Sequence, residues 1–154
     1  MADERERNKE VVRRHGAALN AGDADGFAAT HHPDGRNHAP APFDLSTWPP
    51  EGKPFGPSEA RETFAWLRGG APDLHGEIEA LIAEGDQVVA WISFTGTQTG
   101  AIGPIPPTGR AFDFHHAHRF RLRDGLIIEH WAVRDDLRGM IQAGIVTPPG
   151  RPPA

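Results

Sequence analysis

Cysteine is absent from the 154 residues, which excludes disulfides, thiolate nucleophiles and cysteine-ligated zinc. A basic stripe is also missing. The chain carries 16 Lys and Arg against 21 Asp and Glu, a net charge of -5 with the signs interspersed, so nucleic acid is not expected as a partner. No apolar run approaches the ~20 residues that a membrane span needs. The opening MADERERNKE is charged and has no apolar stretch, so it does not read as a secretory signal, and a cytoplasmic protein is expected. Internal repeats are absent. The glycines of GTQTGAIG do not lead from a strand into a helix, which excludes a phosphate-binding loop.

What is present amounts to one domain. Residues 1–146 are expected to fold as a single unit, followed by a proline-rich, disordered tail over 147–154. The first helix is predicted from about Asp3 to Ala21, with Val11, His15, Ala18 and Leu19 on one face and Gly22 as its stop. Asp23 is a fair cap for a short second helix through Phe27 and Ala29. Residues 33–57 are rich in Pro and Gly and read as a long connection, of the kind that forms lids or pocket walls. Pro57 opens a third helix with Ala60, Phe64 and Leu67 inward, ended by Gly69 and Gly70.

From there the period changes to two. EIEALIAEG and DQVVAWISFTGTQTG read as strands joined by a Gly85-Asp86 turn. RAFDFHHAHRFRLRDG is a third strand and LIIEHWAVRD a fourth, before a closing helix with Leu137, Met140 and Ile141. Helices first and an antiparallel meander after them predict an α+β fold, with helices covering one face of a curved sheet.

The third strand sorts its residues cleanly. Phe112, Phe114, His116, His118, Phe120 and Leu122 share one face, and Asp113, His115, Arg119 and Arg121 the other. The first face is core or pocket. Two histidines there need partners, since burying an imidazole unpaired costs ~1–3 kcal/mol. On the fourth strand Ile127, Glu129, Trp131, Val133 and Asp135 share parity, so Asp135 faces the pocket if Trp131 and Val133 do and no bulge intervenes. There it would lose hydration and gain a pKa suited to proton transfer. The other reading of Asp135 is a cap on the closing helix; Asp136 is the better cap if Asp135 turns inward. Glu129 reads as an exposed or Arg-paired strand residue, and His130 as an outer-surface one. His116 and His118 have the spacing of a metal-binding pair, but with nine histidines in the chain that spacing arises by chance, and no metal is expected.

Four stretches carry a family resemblance: NKEVVRRHGAALNAGDADGF, AEGDQVVAWISFTGTQTG, GPIPPTGRAFDFHHAHRFRLRDGLIIEHWAVRDD and MIQAG. In that order they resemble the SnoaL-like polyketide cyclases, also called ester cyclases, of NTF2-like fold. The resemblance implies a cone: about three helices on a strongly curved antiparallel sheet, a short C-terminal helix and a deep apolar cavity. It implies a homodimer through the outer sheet face and ring closure by intramolecular aldol condensation without a cofactor or metal. Asp135 would be the general acid/base, with His118 and His38 assisting. Trp131, Phe114, His116, Phe64, Trp91, Phe94 and Trp48 would contact a small hydrophobic, polyketide-like substrate. The chain has no tyrosine, which some members use to position substrate. Rival functions are a hydrolase, hydratase or isomerase of the same fold, and a non-catalytic ligand-binding dimer.

Overall fold

Short-range signals set most of the element boundaries. In the computed structural model, which describes residues 3–41, 43–44 and 47–150, helix α1 spans Glu4–Ala21 and is capped by Asp3. Gly22 ends it in the left-handed conformation. Asp23 caps α2 (Ala24–Ala28), accepting from the Gly26 amide at 2.8 Å. Helix α3 (Pro57–Gly70) starts on a proline, with Glu59 reaching back to the Gly56 amide at 3.0 Å. The strands are β1 (His31–Asn37), β2 (Lys53–Pro54), β3 (His75–Glu84), β4 (Gln87–Thr97), β5 (Ala111–Arg123) and β6 (Leu126–Arg134), and α4 (Asp136–Gln142) follows β6 directly. No helix among the described residues is long and apolar enough to cross a membrane. Residues 151–154 of the expected disordered tail lie outside the described residues.

The sheet order is β2-β1-β6-β5-β4-β3, open at both edges. The fold is α+β, four helices on a curled and mainly antiparallel sheet. One pairing departs from the meander: residues 33–37, read from sequence as the start of the long connection, belong to β1, which lies parallel to β6. Pro33 and Gly35 do not block this. The β1–β6 register breaks between His31 and Arg36, so Pro33 falls where the ladder asks for no amide.

Helices α1 to α3 cover the concave face. Val11, Val12, Leu19, Phe27, Ala60 and Phe64 meet Val88, Ala90, Phe120, Leu122 and Ile127 in one buried cluster. Asn20 pins α1 to β3 by exchanging two hydrogen bonds with the Gly76 backbone, at 2.8 and 2.9 Å. The loop 98–109 docks on the end of α3 where two glycines pass. The Gly100 amide donates to the Gly70 carbonyl at 3.0 Å, and a Cβ on Gly100 would stand only 1.9 Å from the Gly69 oxygen.

Candidate active site

Towards one end of the concave face the helices do not fill the cone. A cavity of about 590 Å³ remains between the sheet and the helices. Leu19, Phe27, Phe55, Ile92, Phe94 and Phe112 give it an apolar wall. Phe43, Trp48, Trp66, Ile102 and Ile105 line it from the two long loops and α3. Phe43 lies edge-on to Trp66 and covers Gly103, whose positive φ of 55° and close ring contact leave no room for a side chain.

Polar groups enter this wall from β1, β5 and β6, and a bulge decides which ones. Ile127 pairs with Leu122 and is buried, but Glu129 pairs with Arg121, so β6 carries one extra residue near Ile128. Beyond it the alternation is inverted. His130, Ala132 and Arg134 pair with Phe120, His118 and His116 and share their inward face. Trp131 and Val133 therefore face outward, and Val133 is 76% exposed.

Four histidines line the cavity, and three of them, His116, His118 and His130, stand in series. His116 Nδ1 lies 3.1 Å from His118 Nε2, His118 Nδ1 lies 2.8 Å from His130 Nε2, and His130 Nδ1 lies 3.0 Å from Asn37 Oδ1. The His116 Nε2 atom is buried and has no partner. His118 and His130 keep some surface towards the cavity but are surrounded by protein. Burial lowers the pKa of His118 to about 4, helped by the charge of Arg134, and holds His130 well below 6.5. Burial, then His118, Arg134 and His115, lower His116 to about 2. All three are neutral near pH 7.

Arg134 is the cation beside these histidines, and Arg110 also lines the cavity. The Arg134 Nε donates to Asp136 Oδ1 at 3.2 Å, its Nη2 to the Pro40 carbonyl, and both Arg134 and Asp136 line the cavity. Asp135 does not. It is exposed and caps α4, accepting from the Arg138 amide at 3.2 Å, so the expected inward carboxylate is corrected. The bulge is the reason: with the alternation inverted, Asp135 falls on the outer side and Asp136 on the cavity side.

A family profile for SnoaL-like polyketide cyclases matches residues 9–143. The chain belongs to that family. The fold agrees: the NTF2-like cone is shared with TsrD from Streptomyces laurentii, at 28% identity and a TM-score of 0.79 over 94% of this chain and 100% of that one. A protein assigned as a SnoaL-like polyketide cyclase from Jannaschia sp. CCS1 is 26% identical, with a TM-score of 0.79 over 96% of this chain and 98% of that one. IdmH from Streptomyces antibioticus, assigned as a polyketide cyclase, is 25% identical, with a TM-score of 0.73 over 89% and 98% of the two chains. No curated relative matches the sequence.

Within this cyclase-family domain the residues singled out by sequence fall into two groups. Phe94, Phe114, His116, His118 and Trp48 line the cavity, and the Trp48 indole N–H donates to the Asn37 carbonyl at 3.2 Å. The rest do not reach it. Phe64 is core, packed on Phe27 at 5.5 Å. His38 stacks on Trp131 at 4.7 Å and contacts Glu129 at 3.2 Å, on the outer face. Arg119 covers the Trp131 ring, 3.9 Å from its centroid. Trp91 is 46% exposed and stacks on His115. His38 turns outward because Asn37, its neighbour on the strand, turns inward beside His130. His130 itself was expected outside and lies inside. Arg134 and Asp136 were missed; a register that paired the β5 histidines with even-numbered β6 residues would have found them. Among the described residues no group of three or more His, Asp or Glu converges to hold a metal. His116, His118 and His130 instead set four of their six ring nitrogens against one another and a fifth against Asn37.

Proposed function

We propose that the protein is a cofactor-free polyketide cyclase, closing a ring by intramolecular aldol addition with His116 and Arg134 as its working groups. One observation carries the reading: an unpartnered imidazole nitrogen, shielded from water, on the same cavity wall as a guanidinium. Substrate reaches Nε2 by side-chain adjustment of the apolar wall, a common accompaniment of binding.

The chemistry follows from charge. His116 Nε2 takes a proton from the carbon beside a carbonyl, and the electron pair moves onto that carbonyl oxygen as an enolate. Arg134 faces the enolate. Free Arg134 disfavours imidazolium at His116, but an enolate on Arg134 cancels that repulsion. The His116 cation is thus stabilised only as the substrate becomes an anion, which is what lowers a barrier rather than tightening ground-state binding. The enolate carbon then bonds to a second carbonyl carbon of the same chain. The resulting alkoxide takes the proton back from His116, and the product is an isomer of the substrate. The apolar wall folds the chain so that the two carbons meet.

The outer sheet face supports a homodimer. Ile82, Val89, Trp91 and Val133 expose apolar surface there, from 37% to 76%, and a second copy is the partner we assign to it. Val133→Glu is expected to shift the protein to monomer in sedimentation.

Two probes test the activity. Acetylnaphthalene in heavy water should gain deuterium at its methyl group when the protein is added. An aryl diketone whose carbonyls are separated by three methylenes, with a methyl group on the second carbonyl, should close through that methyl carbon onto the aryl ketone to a hydroxycyclohexanone of equal mass. Product carrying oxygen from labelled water would instead support a hydrolase. Neither exchange nor closure above the rate with His116→Gln would remove His116 from the role given to it.

A further inference from the structure

The direction of every hydrogen bond in the histidine series follows from one backbone amide. The Ala39 N–H can only donate, and it donates to Asn37 at 3.0 Å, so the Asn37 atom there is its carbonyl oxygen. That oxygen only accepts. His130 Nδ1, 3.0 Å away, must therefore carry the proton, and a neutral His130 has a bare Nε2. His118 Nδ1, 2.8 Å from that nitrogen, must then donate to it, which leaves His118 Nε2 bare. His116 Nδ1 must donate to His118 Nε2 at 3.1 Å. The proton count leaves one nitrogen over, His116 Nε2, and it is the one with no partner.

We infer that Asn37, His130 and His118 are positioning residues that lock His116 in its Nδ1-protonated tautomer, so that its basic nitrogen is always the unpartnered Nε2. The inference rests on the reading of His116 as the base, and it adds what sets the base's polarity. A histidine free to choose would present an N–H to the substrate carbon in part of the population, and an N–H cannot accept a proton. Here that wrong tautomer would put two N–H groups, or two lone pairs, face to face in one of the two ring contacts or at Asn37. An unmade hydrogen bond in a buried place is costly, so the series behaves as a unit. When His116 becomes cationic, its Nδ1–H becomes a charge-assisted donor to His118, which supports the same step. The β6 bulge is what makes the series possible, because it turns His130 to the side of His118 and Asn37.

Nitrogen NMR of the histidine rings in the whole protein at pH 7.5 reads the tautomers without any substrate. The expected result is Nδ1 protonated and Nε2 bare at His116, His118 and His130 alike. Asn37→Leu removes the anchoring oxygen. It should leave His130 and the rings behind it in mixed tautomers and lower kcat for deuterium exchange into acetylnaphthalene about 10-fold or more, with KM within about twofold. Asn37→Asp keeps an acceptor in place and should keep the wild-type tautomers. Its kcat should stay within about threefold of wild type, a difference from the similarly sized Leu variant that a purely structural residue would not give. An Nε2-protonated ring at any of the three positions in the wild type overturns the inference, as does an Asn37→Leu protein whose His116 tautomer is unchanged. Should Asn37→Leu fail to fold, the wild-type spectrum and the Asn37→Asp spectrum decide. The uniform tautomer pattern together with full exchange activity in His116→Gln would sink the catalytic reading alone and leave the locked series standing.

Discussion

Strands β5 and β6 present two faces, and the same residue types do opposite things on them. Inside, His116, His118 and His130 share hydrogen bonds, lie in apolar surroundings and are held neutral by burial. Outside, His38 stacks on Trp131 beside Glu129, and His115 stacks on Trp91 beside Glu79, both within reach of water. The carboxylates divide the same way. Asp136 turns inward to hold Arg134, and Asp135, one residue earlier, turns outward to cap a helix. The lesson is that face, and not residue type, decides which titratable groups can do chemistry here. A dry wall keeps a base unprotonated and gives a guanidinium its full effect on a developing charge, whereas the wet face screens both.

The largest effects are expected on the inner face. Replacing His116 by Gln should lower turnover of the diketone by about 10²–10⁴-fold, the usual worth of a placed base, with little change in folding. Arg134→Gln should cost about 10²–10³-fold through loss of enolate stabilisation. It should also raise the pKa of His116, because one cause of its depression is gone.

Stability should follow pH through the same inner groups. His15, His31, His116, His118 and His130 all titrate below 6.5 in the folded chain, His31 and His118 at about 4 and His116 at about 2. The unfolded chain takes these protons near 6.5, and the folded chain does not. Stability is therefore whole above pH 6.5 and erodes below it, by up to ~1.4 kcal/mol per pH unit for each histidine. Five such groups exhaust a typical domain stability of about 5–15 kcal/mol within one to two pH units. Circular dichroism should show cooperative acid unfolding at about pH 4.5–5.5. A chain still folded at pH 3.5 would contradict this account of the interior.

The outer side should yield the smallest effects. Asp135→Ala should cost about 1 kcal/mol in chemical denaturation, the worth of a helix cap, and leave turnover within about twofold.

Much of the architecture was legible in sequence because its signals are local. Asp3, Asp23, Pro57 and the positive-φ glycines at 22, 85 and 125 mark ends and turns that short-range chemistry alone specifies. The faces of β5 were legible too, since no bulge breaks its pairing with β4. Strand β1 was hidden by Pro33 and Gly35, because a parallel partner almost a hundred residues away has no local signature. The candidate site was half legible for a related reason. A period-two pattern carries no mark of the extra residue near Ile128, yet that residue sends Trp131 and Asp135 outward and His130, Arg134 and Asp136 inward. Register is a tertiary property, and here it chooses the chemistry.

The role of His116 is tested most directly by turnover of the aryl diketone in two variants measured side by side, His116→Gln and Asp135→Asn, each shown to be folded. It predicts a loss of about 10²-fold or more for the first and a rate within about twofold of wild type for the second. The reverse order, with the exposed cap residue indispensable and the cavity histidine dispensable, would contradict it.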